Sequence, residues 1–451
     1  MVSVRRLKNL DDRRIGMAHS MRGGHECGSS PRPSRSRKLS FALSVENARM
    51  TNNKQGQPAG TVDFKELAAC SALEFADLAA FDKIYFLGDR TSSFANRAAS
   101  IAHQLPNFAG ILVFGVSPEK RIRISSLLAH CGNWGFITFD ELAQQNNAGD
   151  GKILVVDFND DLAGKHIVQG LRADGVEVVD FLFAMHQLQM THTYLTLKQE
   201  RDYLVEHLAD FEAVAERLGD LRSRQTLHAR LKAILTLDRT PLISVNYPLE
   251  MFINNSSPTS GLVIRPDEVF VDVGAAYGDT VGHFFHTSRG QYRAMHAFEP
   301  DSSQFVTLEK LSRYLPNVTP YFSGVGEEDS VVDFYESPQN RFGSNFIEKS
   351  DVNQVRKSGM KIVKLDSVLH EATLIKIDVE GWEAQVLRGA ARLISGQRPN
   401  LTVSAYHYGQ DIPNILATVD KIHRYAYVGL RHHSATIYDT QMLFSDTQQF
   451  N

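Results

Sequence analysis

Short apolar runs alternate with segments of helical spacing through the first half of the chain. The runs predict buried strands, and the segments between them carry apolar residues three and four positions apart, as amphipathic helices do. Strands that alternate with helices favour a parallel sheet with helices on both faces. We therefore predict a small Rossmann-like α/β domain over residues 62–190. Its predicted strands are Lys83–Gly88, Gly110–Val116, Gly135–Thr138, Lys152–Phe158 and Val176–Phe183.

A charged segment follows, with apolar residues at helical spacing from Tyr203 to Leu218. It predicts a helical connector over residues 191–237. Tyr194 and Lys198 have the spacing of the acid pair in short-chain dehydrogenases. That pair would lie downstream of a glycine loop, whereas here it lies upstream, so we interpret the spacing as chance. The role of the first domain stays open between structural support or partner docking and a sugar or nucleotide site.

The strongest motif is a predicted buried strand, Val269–Val273, that turns through glycines into a helix. Glycine lets the backbone pass close to a ligand, and the turn presents N–H groups at a helix N-terminus. The acid near the end of this strand would repel a pyrophosphate, but it suits the cationic aminoacyl end of S-adenosyl-L-methionine. We predict that the loop binds this cofactor through Asp272, Gly274, Ala275, Gly278, Asp279 and Thr280.

The next predicted strand, Ala294–Phe298, ends in Glu299 and Pro300. An acid at the tip of the second strand accepts hydrogen bonds from ribose hydroxyls. We predict that Glu299 has this role, with Pro300 beside it. A helix cap or an exposed turn acid is the structural alternative for Glu299.

Two later predicted strands, Leu374–Ile377 and Leu401–Ala405, are followed by acids and a histidine. Ligands of open α/β sheets bind at the carboxyl ends of the strands, so we expect Asp378, Glu380 and His407 to converge there. His407 is the first choice of general base, because a neutral imidazole can act near pH 7. Asp378 and Glu380 are alternative bases, ligands for a divalent ion, or helix caps; the spacing indicates no metal site by itself.

Predicted strands at Val318–Phe322, Tyr425–Leu430 and Thr440–Phe444 complete the second half, and Val331–Tyr335 is a further candidate. The pattern predicts that Tyr425–Leu430 and Thr440–Phe444 form a closing antiparallel pair. The fold class we predict is a class I Rossmann-like methyltransferase domain, with a mostly parallel central sheet and a C-terminal antiparallel hairpin. The smaller Rossmann-like domain and the helical connector precede it.

Composition narrows the class of protein. Hydrophobic residues make up 43% of the chain and charged residues 22%, so most of it can bury an ordinary core. The net charge of −4 gives no reason to expect nucleic acid as a partner, and no apolar run reaches the roughly 18 residues of a membrane span. Isolated cysteines indicate reduced thiols and a cytoplasmic location. A homo-oligomer, or docking through the first domain, is possible.

The first 49 residues carry eleven Lys and Arg against four Asp and Glu. Such a polar, Arg- and Ser-rich segment cannot bury enough apolar surface to become ordered, so we predict disorder over residues 1–61. Three interpretations of this segment remain open. It is a transit peptide, a basic anchor for acidic lipids, or a stretch upstream of the true start codon, in which case Met17 or Met50 is the first residue.

The second half of the chain resembles the FkbM family of methyltransferases. The resemblance implies an FkbM-like domain over residues 238–451 that methylates hydroxyl groups, often of sugars in glycolipids, polysaccharides or glycosylated metabolites. It matches Glu299 to the family's ribose acid and Gly274 and Gly278 to its glycine loop. Ala276 and Trp382 depart from common residues of such enzymes, which puts the shape of the acceptor pocket in doubt. The motifs are VDVGAAYGDT (271–280), AFEPD (297–301), IKIDVEGWEAQVLRGA (375–390), YHYGQDI (406–412) and LRHH (430–433).

Two other functions compete with O-methylation of a sugar, glycolipid or polysaccharide. An NAD-dependent oxidoreductase would use the same loop, but the full G-x-G-x-x-G fingerprint is missing. A non-catalytic glycan-binding protein would not need the acids Asp272, Glu299, Asp378 and Glu380.

Overall fold

The computed structural model of the protein describes residues 61–88, 92–112, 118–131, 134–149, 151–246, 262–336, 344 and 355–447. The prediction of a disordered head falls on residues before Thr61, which lie outside this range. The first strands are β1 (Lys83–Leu87), β2 (Phe108–Leu112), β3 (Gly135–Ile137), β4 (Ile153–Asp157) and β5 (Glu177–Asp180). The helices around and after them are α1 (Phe64–Ser71), α2 (Ser92–Ala102), α3 (Pro118–Leu127), α4 (Phe139–Ala148), α5 (Leu162–Ala173), α6 (Phe181–Gln187), α7 (Leu197–Glu206), α8 (Asp210–Arg217), α9 (Leu221–Thr236) and α10 (Thr240–Val245).

In the described part of the first half, the strands form a parallel sheet in the order β3-β2-β1-β4-β5. Its central strands are almost wholly buried, as expected when helices cover both faces. One predicted strand differs from the structure. Only residues 177–180 of Val176–Phe183 are extended, because the Asp180 side chain accepts a hydrogen bond from the Leu182 N–H and begins α6 there.

The connector helices α7 to α10 pack against both halves of the described chain. Thr196 and Gln199 form a capping box at the start of α7. The Arg230 guanidinium on α9 contacts Glu200 at 3.1 Å and donates to the carbonyl of Ile437 at 2.5 Å. Both side chains of this ion pair are buried. The connector therefore contributes to one continuous core with the second half.

The second half contains strands β6 (Val269–Val273), β7 (Ala294–Phe298), β8 (Val318–Tyr321), β9 (Gly324–Val325), β10 (Ser330–Glu336), β11 (Val355–Val363), β12 (Leu374–Ile377), β13 (Asn400–Ser404), β14 (Tyr427–His432) and β15 (Thr440–Ser445). Its helices are α11 (Asp279–Thr287), α12 (Ser302–Ser312), α13 (Leu365–Val368), α14 (Glu383–Gly389), α15 (Ala391–Gln397) and α16 (Asp411–Ile422).

The main sheet of this half has the strand order β14-β15-β13-β12-β6-β7-β8 over the residues described. Strand β15 is antiparallel to both of its neighbours, and the other pairs of the sheet are parallel. This arrangement confirms the predicted parallel sheet with a closing antiparallel hairpin. The additional candidate at Val331–Tyr335 lies within β10, which pairs with β11 in a separate small sheet.

The carboxyl ends of β6, β7, β12 and β13 lie along one edge of the main sheet, since these strands are parallel. Side chains that follow these strands therefore share that edge. Within the part of the chain that the structure covers, no helix is both long and apolar enough to cross a membrane.

Candidate functional site

The glycine loop leaves β6 in a left-handed backbone conformation. Gly274 has φ +80° and Gly278 has φ +87°, and Ala276 between them has φ +46°. A Cβ atom on Gly274 would lie 1.8 Å from the carbonyl oxygen of Asp378. The loop can therefore pass this close to the turn after β12 only with glycine at this position. Helix α11 then begins without a side-chain cap, which leaves its first N–H groups available to a ligand.

Asp272, near the end of β6, is fully buried and lies 3.0 Å from the ammonium of Lys376 on β12. Burial raises the pKa of Asp272 to about 6, while Lys376 acts in the opposite direction. Lys376 also donates to the carbonyl oxygen of Gly274 at 2.6 Å. The sequence analysis paired Asp272 with a cationic end of the cofactor and missed Lys376, although a lone lysine in the apolar strand Leu374–Ile377 is a readable signal.

Glu299 lies at the tip of β7 and is 5% exposed. One carboxylate oxygen accepts from the N–H of Ala276 at 2.8 Å, and the other accepts from the N–H of Asp301 at 2.7 Å. Burial raises the pKa of Glu299 to about 7, against the lowering effect of these hydrogen bonds. The cap of helix α12 is Asp301, which accepts from Ser303 and Gln304. Glu299 thus joins the glycine loop to β7 and is not a helix cap.

The remaining predicted cofactor residues line the same turn with different exposure. Ala275 and Thr280 are buried, Pro300 is half-buried, and Asp279 is exposed. Ser323, which follows β8, is not among the cofactor residues predicted above. Its hydroxyl is buried and has no hydrogen-bond partner among the residues described. An orphaned buried hydroxyl at a strand end is the kind of group that a bound ligand satisfies.

Asp378, Glu380 and His407 converge as expected at the ends of β12 and β13. His407 Nε2 lies 3.7 Å from an oxygen of Asp378 and 3.8 Å from an oxygen of Glu380. Glu383, which the sequence analysis missed, lies 3.1 Å from Nδ1 of the same ring. The Asp378 and Glu380 side chains are 21% and 26% exposed, whereas His407 is 1% exposed.

This environment differs from the neutral imidazole expected from the sequence. Burial alone would lower the pKa of His407, but Glu383 first and then Glu380 and Asp378 outweigh it, and the pKa rises to about 10. The sequence could place Asp378 and Glu380 near the ring, because each follows a strand end. Glu383 is at the start of α14 and not at a strand end, so the same argument did not reach it.

Tyr194 reaches this cluster from the connector. Its hydroxyl donates to Glu380 at 3.0 Å, and its ring stacks on Tyr408 with 5.1 Å between centroids. Thr193 next to it donates to the backbone carbonyl of His407 at 2.7 Å. Lys198, the other half of the dehydrogenase-like spacing, pairs with Asp202 on the surface. Tyr194 is therefore part of the site for a reason unrelated to that spacing.

A cleft of about 300 Å³ opens beside the cluster, between α14 and α16. Its lining combines aromatic rings with amide and charged groups. Glu383 is common to the cleft and to the His407 cluster. The lining includes Trp382, Glu383, Arg388, Tyr408, Gln410 and Asn414.

Comparisons with known proteins show what the second half of the chain is similar to. Residues 272–428 match the family model described as the methyltransferase FkbM domain. A solved structure of methyltransferase FkbM from Methylobacillus flagellatus KT matches with a TM-score of 0.63 and 21% identity, covering 84% of this chain and 98% of that chain. A search of curated proteins found no match.

Two further solved structures overlap less of the fold. The fibrillarin/Nop5p complex matches with a TM-score of 0.25 and 15% identity over 41% of this chain and 73% of that chain. A candidate methyltransferase from Streptococcus mutans in complex with SAH matches with a TM-score of 0.26 and 13% identity over 40% of this chain and 89% of that chain. Scores this low carry no argument.

The strand order of the main sheet and its glycine loop define a Rossmann-like methyltransferase fold. The Methylobacillus flagellatus match covers 84% of this chain, so the shared fold includes the first α/β sheet as well. Residues 272–428 of this chain are similar to the methyltransferase FkbM domain that the family model describes.

Proposed function

We propose that the protein transfers a methyl group from S-adenosyl-L-methionine to a hydroxyl group of a sugar, glycolipid or polysaccharide. One observation carries the proposal. The glycine loop and Glu299 lie at the same sheet edge as the partly exposed carboxylates of Asp378 and Glu380, and the loop backbone lies against the Asp378 carbonyl. A cofactor site and a proton-accepting site are therefore neighbours.

The residues of the loop fit this cofactor. Glu299 offers carboxylate lone pairs to ribose hydroxyls, Ser323 offers an unused hydroxyl near the end of β8, and the uncapped start of α11 offers N–H groups. When bound, S-adenosyl-L-methionine supplies a methyl group activated by its sulfonium charge. The protein then contributes alignment, which is worth about 7–11 kcal/mol when reacting groups are held in place.

We assign the general base to Glu380. A hydroxyl acceptor that enters from solvent can touch Glu380, whereas the fully enclosed ring of His407 is out of its reach. Glu380 also has φ +57°, and strained backbone of this kind clusters at active sites. Tyr194 donates a hydrogen bond to the Glu380 carboxylate and holds its position. Burial and the Glu380 charge raise the pKa of Tyr194, so the phenol stays a donor while Glu380 takes the acceptor's proton.

The cleft between α14 and α16 suits a carbohydrate acceptor. Aromatic faces such as Trp382 and Tyr408 cover the apolar faces of a sugar ring, and amides such as Gln410 and Asn414 bond its hydroxyls. Its volume of about 300 Å³ is at the lower end of small-molecule sites. A single sugar unit of a longer glycan is therefore the occupant that we propose.

Calorimetric titration with S-adenosyl-L-methionine and, separately, with NAD tests the cofactor. We expect saturable binding of the first and none of the second. Binding of NAD alone would instead support the oxidoreductase, and binding of neither would support a non-catalytic glycan-binding protein.

A screen of sugar and glycolipid acceptors with methyl-labelled cofactor tests the reaction. Glu380→Gln should reduce labelling by about 10²–10⁴, the range for positioned acid–base groups, without weakening cofactor binding. Glu371→Gln is the matched control, because Glu371 is an exposed acid that pairs with Arg293. Unchanged labelling by Glu380→Gln would refute the assignment of the base.

A further inference from the structure

Two buried polar atoms at this cluster lack an aligned hydrogen bond to any described residue: Nε2 of His407 and one carboxylate oxygen of Asp378. The other ring nitrogen, Nδ1, lies 3.1 Å from a carboxylate oxygen of Glu383. The ring is 1% exposed and faces the carboxylates of Asp378, Glu380 and Glu383. Native structures leave few such groups unsatisfied, and each one calls for an explanation such as an ion.

The charges of the cluster point the same way. Three carboxylates surround one imidazole at distances of 3.1–3.8 Å. Arg230, the buried guanidinium nearby, is already paired with Glu200. Glu383 is buried, and Asp378 and Glu380 are partly buried. Carboxylates that lose water in this way and outnumber their cationic partners are costly, and coordination of a metal is one of the ways in which proteins stabilise them.

The ligand atoms are also close enough to share one ion. One atom each from Asp378, Glu383 and His407 lies within 4.8 Å of the others. The residues come from adjacent parallel strands, since Asp378 follows β12, His407 follows β13 and Glu383 begins α14. The sheet therefore fixes their relative positions before any ion arrives, and the partly exposed Asp378 gives the ion a route of entry.

We propose that Asp378, Glu383 and His407 form a binding site for a divalent first-row cation. Carboxylates suit Mn²⁺ and imidazole suits Zn²⁺, and a set of two carboxylates and one imidazole accommodates either ion. The role of the ion in methylation rests on the proposed function. It would polarise the acceptor hydroxyl, whose proton passes to Glu380 while the C–O bond forms and the S–CH₃ bond breaks. Ion binding itself does not depend on that function.

Calorimetry with Mn²⁺ alone, and with Zn²⁺ alone, on chelator-treated full-length protein tests the site without any cofactor. We expect one saturable site and a higher melting temperature with the bound ion. His407→Gln and Asp378→Asn should each weaken binding at least tenfold, whereas Glu371→Gln should leave it unchanged. Circular dichroism checks that the variants are folded.

Absence of saturable binding of both ions to the parent protein would overturn the proposal, as would parental affinity in both His407→Gln and Asp378→Asn. The shift in the melting temperature of the parent protein on adding the ion requires no variant. This measurement therefore still tests the site if either variant fails to fold. Failure of the site is distinguishable from failure of the proposed function, because S-adenosyl-L-methionine binding is measured separately on the chelator-treated protein.

Discussion

Replacement of Glu299 by Gln tests the cofactor site most directly. Both carboxylate oxygens of Glu299 accept backbone N–H groups, from Ala276 and Asp301. A glutamine has one oxygen and one NH₂ group, so one of these N–H groups would face a donor and lose its acceptor. An unsatisfied buried donor costs about 1–3 kcal/mol. The same side chain would lose its acceptor for a ribose hydroxyl, so we expect the Kd for the cofactor to rise about 5- to 150-fold.

The pH dependence of binding separates this role from a structural one. Burial raises the pKa of Glu299 to about 7. Ribose hydroxyls bond best to the ionised carboxylate, so binding should be strongest above pH 7 and weaken as the pH falls below it. The expected slope in the parent protein approaches tenfold in Kd per pH unit. Glu299→Gln has no carboxyl to titrate and should lack this component.

The assay is calorimetric titration with S-adenosylhomocysteine, the product of the proposed reaction, from pH 5.5 to 8.5. Any titration of the ligand's own α-amino group is common to both proteins, so the difference between the parent and Glu299→Gln isolates the carboxyl group. Parallel Kd curves for the two folded proteins would refute the assignment of Glu299 as the ribose acid.

Three further predictions concern stability. Gly274→Ala, with its Cβ 1.8 Å from the Asp378 oxygen and φ +80°, should lose about 2–4 kcal/mol of unfolding free energy in urea. Gly282 is the control, because it lies in helix α11 with open space where a Cβ would be. Gly282→Ala should raise the free energy of unfolding by about 0.5–1 kcal/mol. A similar loss of stability in the two variants would contradict the role of the loop. Asp180→Ala should cost about 3–5 kcal/mol because two buried cations, Lys165 and Arg239, each lose one of their two carboxylate partners. These partners outweigh burial and lower the pKa of Asp180. The contribution of Asp180 to the free energy of unfolding should therefore be present at neutral pH and disappear as acid protonates the carboxylate below about pH 4. If the unfolding curves of the parent and Asp180→Ala did not converge in acid, this explanation would be wrong. A chain that begins at Met50 should keep the melting temperature and the cofactor affinity of the parent, and a large drop in either would show that the polar head is not dispensable.

The main sheet was predictable because its signals are local. The apolar runs of β6, β7 and β12 end in glycine or acid, and the residues after them must share one edge of a parallel sheet. The same reasoning brought Asp378 and His407 together correctly. It could not show the exposure of each group, and exposure is the ground on which we propose Glu380 as the base in place of His407.

Contacts between distant parts of the chain were not predictable from one sequence. Tyr194 and Glu380 are 186 positions apart, and no local period links a residue of the connector to a strand end of the second half. The partnership of Lys376 with Asp272 is different, since both occupy central strands that pair in register. An isolated charge in each of two buried strands could have suggested that pair.

The connector makes the proposed site depend on more than the residues that match the FkbM model. Thr193 holds the backbone of His407, and Tyr194 holds the side chain of Glu380. Arg230 forms a buried ion pair with Glu200 and also donates to the carbonyl oxygen of Ile437, shortly before the last strand. If residues 238–451 were separated from the connector, these groups would lose their partners, and apolar surface shared with α9 would become exposed. The predicted boundary at residue 238 therefore marks a change in sequence pattern, while the residues of the proposed catalytic site have partners on both sides of it.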